Sequence, residues 1–221
     1  MIRSGGICLP GLNDSFQDTI DQFGYESAKR LLDFDYLTVN EMRKFVQRHC
    51  DTDKGFFDPE MTFLKEGGLI LWSTPEQRDT GLKDADALIA AGLGQDVNRL
   101  SREDVKRITG SDAFYGGLQI KTTAVLWAAK YVFSLARAVQ DWCQICTFCP
   151  AESVTKTGDK FSIKTSRGQI IAKNVVYATN AWTRSVLPEF SGRVVPVRNQ
   201  VFQFRPAKHV KWDYCISSND G

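Results

Sequence analysis

One ten-residue run constrains this chain more than any other: Lys173-Asn-Val-Val-Tyr-Ala-Thr-Asn-Ala-Trp182. Its apolar segment, Val175 to Tyr177, empties into small residues, an Asn and then an aromatic. A continuous apolar run bounded by polar residues predicts a central strand buried on both faces, as in a parallel sheet. Small residues at its carboxyl end let a ligand approach the backbone, and open α/β sheets bind their ligands at that end. Upstream, Phe161–Thr165 and Gln169–Ala172 flank Ser166-Arg167-Gly168, a hairpin pattern. Downstream come Leu187-Pro188-Glu189 and Arg193-Val-Val-Pro-Val-Arg-Asn-Gln-Val201.

Composition narrows the function classes. With 221 residues, 43% hydrophobic and 24% charged, the chain has the balance of a globular protein with a real core. Its 28 Lys and Arg stand against 26 acids, without a basic block, which argues against nucleic-acid binding. No apolar run approaches the roughly 20 residues that span a bilayer, so no membrane partner is expected. The N-terminal Met-Ile-Arg-Ser-Gly-Gly-Ile-Cys lacks the charged-then-apolar pattern of a signal peptide. Six cysteines in such a chain read as free thiols in a reducing compartment. A cytoplasmic location is the expectation.

Periodicity organises the rest. Residues 14–49 read as helical, with Phe16, Ile20, Phe23, Leu31, Phe34, Leu37, Met42, Phe45 and Val46 at three- and four-residue steps, and Gly24 splitting them into two helices. Gly67–Trp72 reads as a strand. Thr74-Pro-Glu-Gln77 has the form of a capping box with Pro at the first helical position, opening a helix to about Ala91. Ser101-Arg-Glu-Asp104 starts a short helix that Gly110 closes. Phe114–Ile120 reads as a strand, and Thr122 or Thr123 begins a helix to about Trp142. From Ile145 onward strands dominate.

These motifs carry a family resemblance. Thr165 to Ala181 fits a "T-x-x-G-x-x-x-A-x-x-V-V-x-A-T-N-A" run, and Leu187 to Gln200 fits "L-P-x-x-x-G-R-x-x-P-V-R-x-Q". Arg3-Ser-Gly-Gly-Ile-Cys-Leu-Pro10 matches "R-N-G-G-H-x-x-P", with Ser4 for Asn and Ile7 for His. Ala124–Val132 is similar to an "A-x-L-W-P-Y-K-F-V" helix start, with Ala128 and Ala129 replacing Pro and Tyr. Together they resemble the FAD-dependent oxidoreductases of the D-amino acid oxidase, glycine oxidase and sarcosine oxidase superfamily, in their fungal-type form. The resemblance covers almost the whole chain.

The resemblance implies a mixed α/β architecture: an incomplete Rossmann-like FAD-binding domain, 1–13 and 122–192, interleaved with a mixed-sheet substrate domain, 14–121 and 193–221. It implies FAD as cofactor and an amino acid or secondary amine as small-molecule substrate. The family's G-x-G-x-x-G turn, which cradles the pyrophosphate at a helix N-terminus, does not occur in this sequence. The chain is therefore expected to be the middle of a longer oxidoreductase. Arg3, Ser4, Gly5 and Gly6 would pass the pyrophosphate side, Val154 lies where the family's strand offers backbone bonds to the adenine, and Ala178, Thr179, Asn180 and Trp182 would approach the cofactor. No catalytic residue is assigned.

Each of these residues also has a plainer reading, as N-terminal coil, core valine or strand end. Cys143-x-x-Cys146-x-x-Cys149-Pro150 invites a metal reading, but position 153 is Ser and Cys8, Cys50 and Cys215 are single. On the expectation that the run crosses from helix into strand, alternation sends Cys146 and Cys149 to opposite faces, so no metal is expected. His49 and His209 are lone surface candidates. Arg198 and Gln200 alternate in an expected strand and face either substrate or structural partners. The other function classes are a non-catalytic remnant of such an enzyme and a cysteine-based metal module.

Overall fold

The computed structural model describes residues 6–10, 15–50, 67–197, 200, 202, 207 and 214–218. The chain divides into two compact units, Met1–Val139 with Val210–Gly221, and Gln140–His209. In the first unit, β1 (Ile7–Cys8) precedes α1 (Phe16–Phe23), which opens on Ser15; the Ser15 hydroxyl accepts from the Asp18 N–H at 3.0 Å. Gly24, at φ 77°, ends α1 and separates it from α2 (Tyr25–Cys50), the expected split. After β2 (Gly68–Leu71), Thr74 caps α3 (Pro75–Leu88) by accepting from the Gln77 N–H at 3.2 Å. The Gln77 side chain reaches back to the Ser73 N–H at 2.7 Å, one residue beyond the reciprocal bond of a capping box. A π turn, Ile89–Leu93, carries α3 on to β3 (Val97–Leu100).

Ser101 and Asp104 form a full capping box on α4 (Arg102–Thr109), and Gly110, in the left-handed region at φ 74°, closes it, both as expected. β4 (Gly117–Ile120) is shorter than the expected 114–120 strand, because the Tyr115 N–H and the Gly116 carbonyl bond to Trp72, outside the ladder. The helix expected from Thr122 starts later. Asp96 takes Thr122 instead, its Oδ1 accepting from the Thr122 N–H and hydroxyl, both at 2.8 Å. The next residues form β5 (Ala124–Val125), antiparallel to β1, and α5 spans Ala128–Val139.

The second unit holds an antiparallel meander: β6 (Ala151–Thr157), β7 (Lys160–Thr165) and β8 (Gly168–Ala172). The hairpin read between 161 and 172 is present, with Thr165 opposite Gly168. A short helix follows, α6 (Thr183–Val186), and Pro188–Phe190 makes a 3₁₀ turn. Two expectations fail here. Among the described residues no strand follows Ala172 until β9 (Cys215–Ser218), which belongs to the first unit. The run Val175–Tyr177 is not a strand and not buried: Val176 is 89% exposed. Burial of a parallel strand requires a ladder on its edges and helices on its faces, and among the described residues nothing in this unit supplies them.

β9 joins the principal sheet of the first unit, ordered β3-β4-β2-β9, parallel to β2 and with the other pairs antiparallel. Strand alternation then divides the core into two layers. On one face Ile70, Val97, Leu118 and Ile120 pack with Trp72 against Phe16 of α1, Ala28 and Leu32 of α2, and Ala85 and Leu88 of α3. On the other, Leu69, Leu71, Leu100 and Ile216 meet Val105 and Ile108 of α4.

Two contacts between α3 and its neighbours give testable consequences. A Cβ on Gly81 would lie 2.2 Å from Nε1 of the buried Trp72. Alanine normally stabilises a helix interior by about 1 kcal/mol over glycine, but overpacking a closed core costs about 1–3 kcal/mol. Gly81→Ala is therefore expected to lower stability, read as a lower urea midpoint at unchanged slope. A midpoint that rises would overturn the packing.

Asp84 of α3 accepts from the Gln17 N–H at 2.9 Å, satisfying the first turn of α1. Burial pushes its carboxyl above the ordinary 3.8, although the backbone N–H bonds of Gln17 and Phe16 oppose this. The folded state thus holds this proton more tightly than the unfolded chain. The stabilisation is complete below pH 3.8 and is lost as pH rises through the folded value. Asp84→Asn keeps an acceptor and removes the titration, so it should match or exceed the parent at neutral pH and flatten the profile of stability against pH. An equal pH slope in both proteins would count against this account.

Candidate cofactor-binding segments

Of the N-terminal candidates, Arg3, Ser4 and Gly5 lie outside the described residues. Gly6 is buried, at φ 80°, and its carbonyl accepts from the Leu126 N–H at 2.9 Å. A Cβ there would stand 2.0 Å from the Leu126 oxygen. The close approach of β1 to the segment after β5 therefore accounts for this glycine. Next to it, the Cys8 thiol meets Met42 Sδ of α2 at 3.6 Å, and burial raises its pKa.

The remaining candidates share the second unit. Val154, half-buried, sits mid-strand on β6 opposite Ile163. β6 is an edge strand, bonded to β7 alone among the described residues, so one side of its backbone presents N–H and C=O groups with no strand partner. Residues 178–182 run from Ala178 through a 3₁₀ turn, Asn180–Trp182, into α6. Asn180 adopts φ 46°, the left-handed region that asparagine tolerates better than most residues. The turn is tied by the Trp182 N–H to the Thr179 carbonyl at 3.0 Å. The Thr183 hydroxyl lies 2.7 Å from the Asn180 carbonyl and 3.0 Å from the Thr179 hydroxyl. α6 packs on β6, so the strand of Val154 and the 178–182 segment belong to one local structure. Trp182 is 59% exposed.

The cysteines differ from their expected setting. Residues 140–150 form a loop with turns, not a helix end running into a strand, so the strand-alternation argument for diverging thiols does not apply. Cys143 and Cys146 are exposed, Cys149 is half-buried, and none is in a disulfide. Among the described residues no group of three or more His, Cys, Asp or Glu side chains converges to hold a metal ion. His209, Arg198 and the side chains of His49 and Cys50 lie outside the described residues. Gln200 is exposed and in no strand.

Asp96 is the residue the sequence reading missed. Besides Thr122, it accepts from the Tyr36 hydroxyl at 2.8 Å; burial first, then that bond and the carboxylate charge, push the Tyr36 pKa well above its ordinary value. Arg43 donates to the Thr122 carbonyl at 2.9 Å, so α2, β3 and the turn before β5 are joined by one polar cluster. A single Asp before the mixed string Val97-Asn-Arg-Leu100 carries no local signal of this role.

No helix among the described residues is long and apolar enough to cross a membrane. Comparison with known proteins agrees with the fold. The family model described as FAD dependent oxidoreductase matches residues 2–220. Probable oxidoreductase OrdL of Haemophilus influenzae is 23% identical over 225 residues, covering 98% of this chain and 49% of that protein. Glycine oxidase from Geobacillus kaustophilus shares the fold at a TM-score of 0.67 and 15% identity, over 83% of this chain and 46% of its own. Iminodiacetate oxidase from Chelativorans sp. BNC1 follows at 0.61 and 15% identity, over 85% and 47%. L-α-glycerophosphate oxidase from Mycoplasma pneumoniae, solved with FAD bound, gives 0.59 and 14% identity, over 82% and 44%. The chain spans about half the length of the relatives it matches. By the match over nearly all its residues, this chain belongs to the FAD dependent oxidoreductase family.

Proposed function

We propose that the protein oxidises the C–N bond of an amino acid or secondary amine, with FAD as the acceptor. The observation that carries the cofactor part is the open backbone edge of β6 at Val154, with the small-residue segment 178–182 in the same unit. An adenine edge presents alternating donors and acceptors, which an unpaired strand edge matches. Residues present here therefore fit part of the cofactor: Val154 and its neighbours the adenine, and Ala178, Thr179, Asn180 and Trp182 a nearby portion. Bound FAD supplies the two-electron acceptor for a hydride from the substrate α-carbon. The chain's part is to bind and orient, and no acid–base residue is required of it when the amine enters neutral. We assign 1–13 and 122–192 to the cofactor side and 14–121 and 193–221 to the substrate side. The sheet built from strands within 67–120 plus β9 supports the substrate half. A reducing, cytoplasmic setting fits the free cysteines.

The amine reading draws on glycine oxidase and iminodiacetate oxidase among the structural relatives, whereas the glycerophosphate oxidase is named for a substrate without nitrogen. The test is anaerobic mixing of flavin-loaded protein with panels of amino acids, N-alkyl amino acids and hydroxy acids. Bleaching of the flavin absorbance by an amine is the expected result. Bleaching by hydroxy compounds alone would overturn the C–N assignment. The second reading, a non-catalytic remnant, draws on the missing G-x-G-x-x-G; protein that carries flavin yet is bleached by no member of the panel would favour it.

A further inference from the structure

The loop between α5 and β6 carries three thiols in seven residues, and its conformation sorts them. Thr147 and Phe148 form a turn, with Cys146 immediately before it and Cys149 immediately after. Phe148, the second turn residue, adopts φ 54° and is 93% exposed, so its ring makes little packing that would account for this backbone. A four-residue turn holds its first and last Cα atoms within about 7 Å. Disulfides need Cα separations of about 4.4–6.8 Å. Cys143 and Cys146 have the same two-residue spacing in sequence, but Gln144 and Ile145 make no turn.

We propose that Cys146 and Cys149 form a reversible redox-active dithiol pair, oxidised to an intramolecular disulfide by small-molecule disulfides such as oxidised glutathione. In the first step the exposed Cys146 thiolate attacks one sulfur of the oxidant; the S–S bond breaks and one glutathione thiolate leaves. In the second, the Cys149 thiolate attacks Cys146 Sγ in the mixed disulfide and expels the second glutathione thiolate. Two thiols lose two protons and two electrons, and one glutathione disulfide becomes two glutathione thiols. The reverse exchange restores the loop. Cys143 stays outside the bridge because no turn brings it to either partner. Cys8 and Cys215 are poor competitors: each is about half buried, and burial raises both pKa values.

The 221-residue protein, folded and separately in urea, is equilibrated with oxidised glutathione, alkylated and mapped by peptide mass spectrometry. In the folded protein two of the three loop thiols, Cys146 and Cys149, should be lost to alkylation as a bridge, with Cys143 remaining outside it. In urea the two equal spacings should bridge to comparable extents. Cys149→Ser should trap a glutathione mixed disulfide on Cys146, whereas Cys143→Ser should leave the bridge intact. A folded protein that bridges Cys143 to Cys146 as readily as Cys146 to Cys149, or that keeps all three thiols alkylatable, would overturn the proposal.

Discussion

Leu71→Ala is expected to lower the stability of the first unit by about 2–5 kcal/mol. Leu71 is 0% exposed, at the centre of the layer formed with Leu69 and Val105, where α4 closes on the sheet. Truncation removes apolar transfer energy and leaves a cavity that a β-sheet layer has little freedom to close. Leu71→Asp adds an unpaired buried carboxylate, whose desolvation nothing nearby offsets. With whole-domain stabilities of about 5–15 kcal/mol, the aspartate variant should show no cooperative transition at all. Urea unfolding followed by tryptophan fluorescence reads this, since Trp72 lies at the neighbouring position. A Leu71→Ala midpoint equal to the parent's would mean that β2 is not at the core.

Expressed as these 221 residues, the protein is expected to retain far less than one FAD per chain. The pyrophosphate is the most charged part of the cofactor, and the family fold cradles it with a glycine turn at a helix N-terminus. No G-x-G-x-x-G occurs in this sequence. On the proposed assignment, the described residues offer the strand edge at Val154 for the adenine and the segment 178–182 for a nearby portion, and little for the charge. Flavin released on denaturation, measured by its absorbance against protein concentration, gives the ratio. A strand–glycine turn–helix unit supplied in cis should raise it. Near-stoichiometric FAD in the chain as it stands would show that the β6 edge binds more of the cofactor than this account allows.

Local chemistry was legible wherever a few adjacent residues settle the outcome. Ser101 with Asp104, Gly110 and Gly24 marked helix ends, because a cap or a positive φ depends on neighbours within one turn. The 161–172 hairpin was legible for the same reason. The helix expected from Thr122 misled, since Thr122 answers to Asp96, 26 positions away, and Ala124–Val125 answer to β1. For the candidate site, the motifs pointed to Val154 and 178–182 but not to the edge position of β6, which depends on sheet order.

By itself, then, the sequence determined the element boundaries set by caps and glycines, the hairpin, and the family resemblance carried by runs such as Thr165–Ala181. The tertiary structure alone decided which apolar runs are buried. Leu69–Leu71 and Val175–Tyr177 are alike as strings, yet β2 is flanked by β4 and β9 and covered on both faces, while Val176 stands exposed. The physical reason is that a strand's stability lies in its ladder partners and covering layers. Those are contributed by residues far away in the chain, as when Cys215–Ser218 pairs in parallel with Gly68–Leu71.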